Sequence, residues 1–390
     1  MTVFEKNVIS IIRAALTGEK PEFESKPNYD GIYKFSVKQQ LQYLLFNGLL
    51  FLPDFENSEI YSSFFEDACK AVRLDVHQDF EVSRIVNEFE KHGIDYMLIK
   101  GICLKKLYPV TAMRSMGDID ILIRKKQLNK ISNIMRELDY KIIGGTENEV
   151  PWHKENLLIE MHRYLMPPNN PDLYKFYNGN EWDNLIQIHS HSHEYAMNDE
   201  DNLVFLILHF VKHFRYSGAG IRNICDLYLF LKNHTTLNES YIKNKLEKFE
   251  LYEFYLNIKN VISCWFYGEP TNDIVDIITG MLFKGGIFGA KETMESSENI
   301  RLYHRYRYAK IAKIKTVVFP NVHRLKIKYR VLYKMPFLLP IIWVIHWFEV
   351  IIKRPETVKK VKNDINNMVN DKDCKRNSDL EKIGLRVWYK

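Results

Sequence analysis

Gly117-Asp118-Ile119-Asp120-Ile121-Leu122-Ile123 sets two carboxylates two residues apart in an apolar run. Such a run reads as a buried strand, and alternate side chains on a strand share a face. Asp118 and Asp120 therefore point the same way. Two like charges on one face repel unless a cation lies between them. Oxygen ligands at this spacing suit Mg²⁺ or Mn²⁺, the ions that partner phosphate substrates. The same pattern also fits strand-end aspartates that cap a loop or face water. A second stretch narrows the choice. Asn156-Leu157-Leu158-Ile159-Glu160-Met161-His162 reads as another strand, with Glu160 and His162 on one face and apolar neighbours on the other. A third carboxylate on a nearby strand is what a two-metal site requires.

The elements that must position these groups are legible around them. Ile94 to Ile99 is an apolar run ending in Lys100-Gly101, and a short helix from Ile102 to Leu107 follows. Lys125 to Leu138 carries Leu128, Ile131, Ile134, Met135 and Leu138 on one helical stripe. Tyr140 to Ile143 reads as a short third strand ended by Gly144-Gly145, which makes 156–162 the fourth.

This order resembles the nucleotidyltransferase superfamily whose best-known member is DNA polymerase beta. Within it the chain is most like the bacterial branch of uncharacterised nucleotidyltransferases. The matching residues are Lys100-Gly101, Tyr108-Pro109, Arg114, Gly117-Asp118-Ile119-Asp120 and Ile159-Glu160-Met161-His162. Asn198 to Asp201, His209, His213, Arg222 and Asp226 follow in the order of the family's helical partner region. The likeness spans roughly residues 36 to 350 and is strongest from 92 to 230. It implies an α+β fold: a polymerase-beta-like core, a small mixed sheet with helices, embedded in a largely helical protein. It also implies a transferase that takes a nucleoside monophosphate from an NTP such as ATP onto a hydroxyl, a phosphate or a protein side chain and releases pyrophosphate. Two Mg²⁺ (or Mn²⁺) ions about 3.5–4 Å apart would clamp the attacking and leaving oxygens. Asp118 and Asp120 would hold the nucleotide-bound ion, and Glu160 would complete the second or act as base. Lys100, Gly101 and Arg114 would face the triphosphate. Lys100 with its head in water, or Arg114 as partner to an aspartate, is the plainer alternative for each. One residue departs from the superfamily's pattern. Ile102 follows Gly101 where Ser or Gly is usual, and the gap to Asp118 is long. A phosphotransferase on the same metals and a silent binding module are the competing readings. Three converging carboxylates favour the enzyme, because a binder need not keep them.

The histidines divide. His162 could ligate metal, orient Glu160 or contact substrate. His209 and His213 lie four apart on a helix from Asp201 to Phe214 and share a face. No Glu follows His209 in the metalloprotease pattern. His209, among apolar neighbours, is expected to be buried and bonded to Asp226 or Arg222, and His213 to reach a substrate pocket. Arg222 and Asp226, also four apart, predict an intrahelical ion pair. His189, His191 and His193 alternate and predict one strand face toward water or substrate. A rise of roughly 6.6 Å per two residues suits a tetrahedral zinc poorly.

At 390 residues the chain exceeds one ordinary core. The punctuation predicts a helical region over 1–93, an α/β core over 94–198, a helical partner region over 199–300 and a basic, apolar C-terminal region over 301–390. Within the first, Met1 to Leu16 reads as a helix and not a cleavable signal. Val37 to Leu52 reads as one helix ended by Pro53, and Phe64 to His92 as a long helix or two. Pro167-Pro168-Asn169-Asn170-Pro171 reads as a linker, and Gly285 to Asn299 as a second boundary. Five dispersed cysteines argue for a reducing, cytoplasmic compartment.

The C-terminal region carries its own signal. Of 55 basic residues, eleven fall between Arg301 and Lys334, where no acidic residue occurs; the other 44 face 49 acidic ones. Tyrosines interleave with this block, and an apolar, Trp-containing run from Met335 to Ile352 follows. The run is short for a span and contains Glu349. Over 301–354 this pattern suits peripheral contact with an anionic membrane at the inner face. It suits nucleic acid less well, and a buried helix with a solvated basic face is the plain alternative. The charged tail beyond Pro355 reads as a surface helix or partly disordered.

Overall fold

A computed structural model describes residues 1–166, 181–216, 218–286, 319, 322–353 and 371–385. The expected linker at 167–171, the boundary at 287–299, the stretch 301–318 of the basic block and 354–370 of the tail lie outside them. The chain forms two compact units: Met1–Phe214 with Gly218–Gly289, and Arg215–Ser217 with Ala290–Lys390.

The first unit opens with α1 (Val3–Thr17), α2 (Tyr29–Gln39), α3 (Gln42–Leu49) and the 31-residue α4 (Tyr61–Lys91). Helix α1 starts at a capping box, Thr2 with Glu5, which satisfies two otherwise unpaired amides. The single helix expected over 37–52 is two, broken at Gln40 in the left-handed region. Tertiary bonding accounts for the break. The buried Gln39 amide donates to the Leu282 and Gly285 carbonyls and accepts from the Ile221 amide.

The core is a mixed five-stranded sheet, β1 (Tyr96–Ile99), β2 (Ile119–Ile123), β3 (Lys141–Ile142), β4 (Glu149–Lys154) and β5 (Leu157–His162). The spatial order is β1-β2-β5-β4-β3. Only β2 and β5 run parallel. The sequence reading lacked β4, so the strand expected as fourth is fifth. Pro151 and the charged ends of β4 masked its alternation, yet Val150 and Trp152 point into the core. The short helix after β1 is α5 (Gly101–Leu104) continued by a 3₁₀ turn to Leu107. The amphipathic stripe becomes α6 (Leu128–Glu137) after a 3₁₀ turn.

One sheet face is closed by hydrophobic burial. Ile119, Ile121, Ile159 and Met161 pack against Val82, Ile85 and Phe89 of α4 and Ile131, Ile134 and Met135 of α6. Each such side chain contributes roughly 1.5–3 kcal/mol by leaving water. Helix α4 also turns polar residues inward. Asp75 bonds buried Lys105 at 2.5 Å and Thr111 at 2.5 Å. Gln78 donates to the Met116 carbonyl. Glu81 accepts from Arg84, Tyr140 and Lys154. The first two anchors pin the long 105–116 segment that leads into Asp118.

After the core, β6 (Ile186–Gln187) and β7 (Tyr195–Ala196) form a small hairpin. The three alternating histidines sit in its turn, which corrects the strand expected there. His191 adopts a positive φ, and the His193 ring meets Asp95 at 2.9 Å, so the three do not share a face toward solvent. Helices α7 (Asp199–Tyr216, its residues to Phe214 in this unit), α8 (Arg222–Asn233), α9 (Glu239–Glu247), α10 (Tyr252–Tyr267) and α11 (Asp273–Lys284) complete the unit.

The described part of the second unit holds α12 (Val322–Lys328), α13 (Val331–Lys334), α14 (Leu339–Lys353) and α15 (Asp371–Lys382). Leu325, Leu332 and Ile342 make a small core there, with Tyr329 and Trp343 against it. Among the described residues, no helix is long and apolar enough to cross a membrane.

Candidate active site

The sheet face opposite α4 and α6 carries the charge. Parallel pairing sets Asp120 directly against Glu160 and Leu122 against His162. His162 Nε2 lies 2.6 Å from Asp120 Oδ1 and 3.5 Å from Glu160 Oε2. Asp120 Oδ1 also accepts from Lys100 Nζ at 2.7 Å. Asp118, one residue before β2, lines the same cavity.

The electrostatics follow from burial and crowding. Burial alone would raise the Asp120 pKa, but Lys100 and the His162 hydrogen bond hold the carboxyl well below the usual carboxylate range. Asp118 shifts the other way: burial, then the negative charges of Asp120 and Glu160, push its pKa up. Burial and Lys100 would lower His162, but its bonds to Asp120 and Glu160 outweigh them and raise it. Asp120, Glu160 and His162 each offer a ligand atom within 4.8 Å of the others. The carboxylate oxygens of Asp120 and Glu160, beside an Asp118 destabilised by like charge, fit a divalent cation.

Lys100 reaches Asp120 from a costly backbone. Its φ of 56° and ψ of −120° lie where non-glycine residues seldom go, at a cost on the order of 1–3 kcal/mol. The next residue must be glycine for space. A Cβ on Gly101 would come 2.6 Å from Arg114 Nη1 and 2.6 Å from Met116 Sδ. Arg114 is fixed: its Nε and Nη2 donate to the two Asp226 oxygens at 2.8 and 2.9 Å, and Tyr108 OH donates to the same carboxylate at 2.8 Å. Arg114 thus pairs with an aspartate of α8 rather than with Asp118 or Asp120. The intrahelical Arg222–Asp226 pair expected from spacing does not form, because Arg114 and Tyr108 take the carboxylate. Arg222 donates instead to the Ser115 carbonyl at 2.6 Å. Burial and the like charge of Arg114 push Arg222 down to about 10.

A cavity of about 240 Å³ opens over the acidic face, with α7 and α8 as its far wall. His209 and His213 both line it, their ring centroids 4.6 Å apart. His209 therefore faces the cavity rather than bonding Asp226 or Arg222. Burial drives both imidazoles toward the neutral form, His213 to about 4. Lys212, which the sequence reading missed, lies on the same helix and lines the cavity, with no acidic side chain in ion-pair contact among the described residues. Burial, then the charge of Lys100, lowers its pKa. The signal was present: His209, Lys212 and His213 are spaced i, i+3, i+4 on one helical face. In short, the fold brings Lys100, Gly101, Arg114, Asp118, Asp120, Glu160, His162 and His213 to one cavity.

Comparison with known proteins adds two findings. A family model described as uncharacterised nucleotidyltransferase matches residues 25–267. Among solved structures, the antibiotic-resistance factor ANT(2'')-Ia aligns at a TM-score of 0.34 and 10% identity, covering 48% of this chain and 97% of that one. No curated protein matches the sequence.

Proposed function

We propose a reaction from one premise, that this chain belongs to the uncharacterised nucleotidyltransferase family: it moves a nucleoside monophosphate from an NTP to an acceptor and releases pyrophosphate. The observation that carries this reading is the facing of Asp118, Asp120 and Glu160 toward a cavity whose opposite wall is cationic. In this reading the sheet is the polymerase-beta-like nucleotidyltransferase core. The α/β region supplies the acidic wall, and the helical region after residue 199 supplies the basic one.

Asp118, Asp120 and Glu160 would hold the divalent ions. When bound, those ions supply charge neutralisation on the phosphoryl group being displaced. The side chains do the rest. His162 orients Asp120 and Glu160 through its Nε2 contacts. Glu160, less buried than Asp120, would complete the second ion's ligands or accept the acceptor's hydroxyl proton. Lys212 and Arg222 offer charge to the triphosphate from the helical wall. Arg114 serves as the latch that holds α8, and with it Arg222, against the 108–115 segment.

The test is incubation with labelled NTPs and a cell extract, followed by product analysis. Pyrophosphate is the expected product, and ADP would reassign the enzyme to phosphotransfer. Asp118→Ala and Asp120→Ala should each lower turnover by about a thousandfold or more while keeping the wild-type circular dichroism spectrum. Wild-type-like turnover in either variant would remove the assignment.

A further inference from the structure

We propose that the second unit lies on an anionic membrane surface through one exposed face of α14. This inference is independent of the reaction. Ile341, Val344, Ile345 and Phe348 recur at i, i+3, i+4 and i+7, so they form one stripe along the helix. All four are exposed, Ile341 at 57% and Phe348 at 63%. Phe337, 74% exposed, and Met335 are also exposed just before the helix begins, and exposed Tyr333 stands nearby in the chain. Another face of α14 is occupied: Ile342 packs with Leu325 and Leu332, and Trp343 lies against that cluster. A continuous row of large apolar side chains in water marks a surface made to be covered.

Charge selects the cover. Glu349 is the single acidic residue of α14 and falls on the flank of the stripe. Lys328 and Tyr329 both bond its Oε2, each at 2.7 Å, so it presents no unpaired charge beside the stripe. Lys326 and exposed Arg330 add positive charge on the same unit, within the Arg301–Lys334 block that has eleven basic residues and no acidic one. An exposed apolar stripe on a unit rich in cations and tyrosine is complementary to acyl chains beneath anionic headgroups. A helix of 15 residues spans only about 22 Å, short of the roughly 30 Å hydrocarbon core, so it lies in the interface and does not cross.

The experiment is flotation of the full chain with phosphatidylcholine vesicles, with and without phosphatidylglycerol, at low and high salt. Binding should require the anionic lipid and weaken as salt rises. Ile341→Asp with Ile345→Asp should reduce partitioning about tenfold or more, since each buried aliphatic side chain is worth at least that factor. Both positions are exposed, so circular dichroism and turnover should stay at wild type. A third variant, Arg330→Glu, should weaken binding to anionic vesicles only. Absence of flotation at low salt, equal flotation on neutral vesicles, or unchanged flotation of the double variant would each overturn the proposal. Self-association in light scattering that the double variant abolishes, without vesicle binding, would assign the stripe to a second copy of this chain and overturn it equally.

Discussion

Gly101→Ala tests how the basic latch and the acidic site are joined. The new methyl would sit 2.6 Å from Arg114 Nη1, 2.6 Å from Met116 Sδ and 3.1 Å from Met116 Cγ. Ordinary contact needs about 3.5 Å, so these neighbours must retreat by roughly 0.9 Å. Met116 is flexible and can give way in part. Arg114 is not, because its two bonds to Asp226 are 2.8 and 2.9 Å and both partners are buried. A shift of that size carries the bonds beyond the normal range. Overpacking of this kind costs about 1–3 kcal/mol, and outright loss of the pair would bring the cost to about 3–5 kcal/mol. Urea denaturation should show a loss in this range at an unchanged m-value. The decisive comparison is a double-mutant cycle with Asp226→Asn, which keeps the shape of the side chain and frees the guanidinium. With Arg114 released, Gly101→Ala should cost at least about 1 kcal/mol less than in the wild type. A Gly101→Ala variant within about 0.5 kcal/mol of wild type, or strict additivity with Asp226→Asn, would refute the claim that Arg114 is a fixed wall.

Three further outcomes are expected. Lys212→Ala should raise KM for the triphosphate by about tenfold or more, the worth of a charge-assisted contact, with Lys212→Arg restoring most of it; an unchanged KM in steady-state kinetics would take Lys212 out of the site. Burial holds the His213 pKa at about 4 against 6.5 in the unfolded chain, so its stabilising contribution is fully present above pH 6.5 and is lost as pH falls toward 4. His213→Gln should therefore flatten the fall of Tm across that window, and an identical slope in both proteins would contradict the assignment. Glu81→Ala strands Tyr140 and Lys154 in a buried setting and should cost about 3 kcal/mol in urea unfolding, with turnover by the folded fraction unchanged.

Much of the site was legible because strand periodicity is rigid. Asp118 shares a side with Asp120, and Glu160 with His162, for a reason that needs only the alternation of side chains along a strand. The hydrophobic stripe of α6 was equally plain, since its period and its burial agree. Residues failed to read correctly where long-range partners outbid local ones. Arg222 and Asp226 have the spacing of a helical ion pair, yet Arg114 is a bidentate donor from 112 residues away and wins the carboxylate. Gln39 interrupts an apolar helix because three backbone groups far along the chain need its amide. Strand β4 went unread because Pro151 breaks the pattern that its paired neighbours tolerate.

What the sequence determined by itself is the kind of chemistry: three carboxylates on strand faces, a Lys-Gly turn before them and histidines at helical spacing after them. Which groups stand opposite one another was decided only in three dimensions. Parallel pairing of β2 with β5 set Asp120 against Glu160. Packing of α7 and α8 over that face made Lys212 and Arg222 its cationic wall. Local periodicity carries the direction of a side chain, but the partner it meets depends on contacts between segments a hundred residues apart.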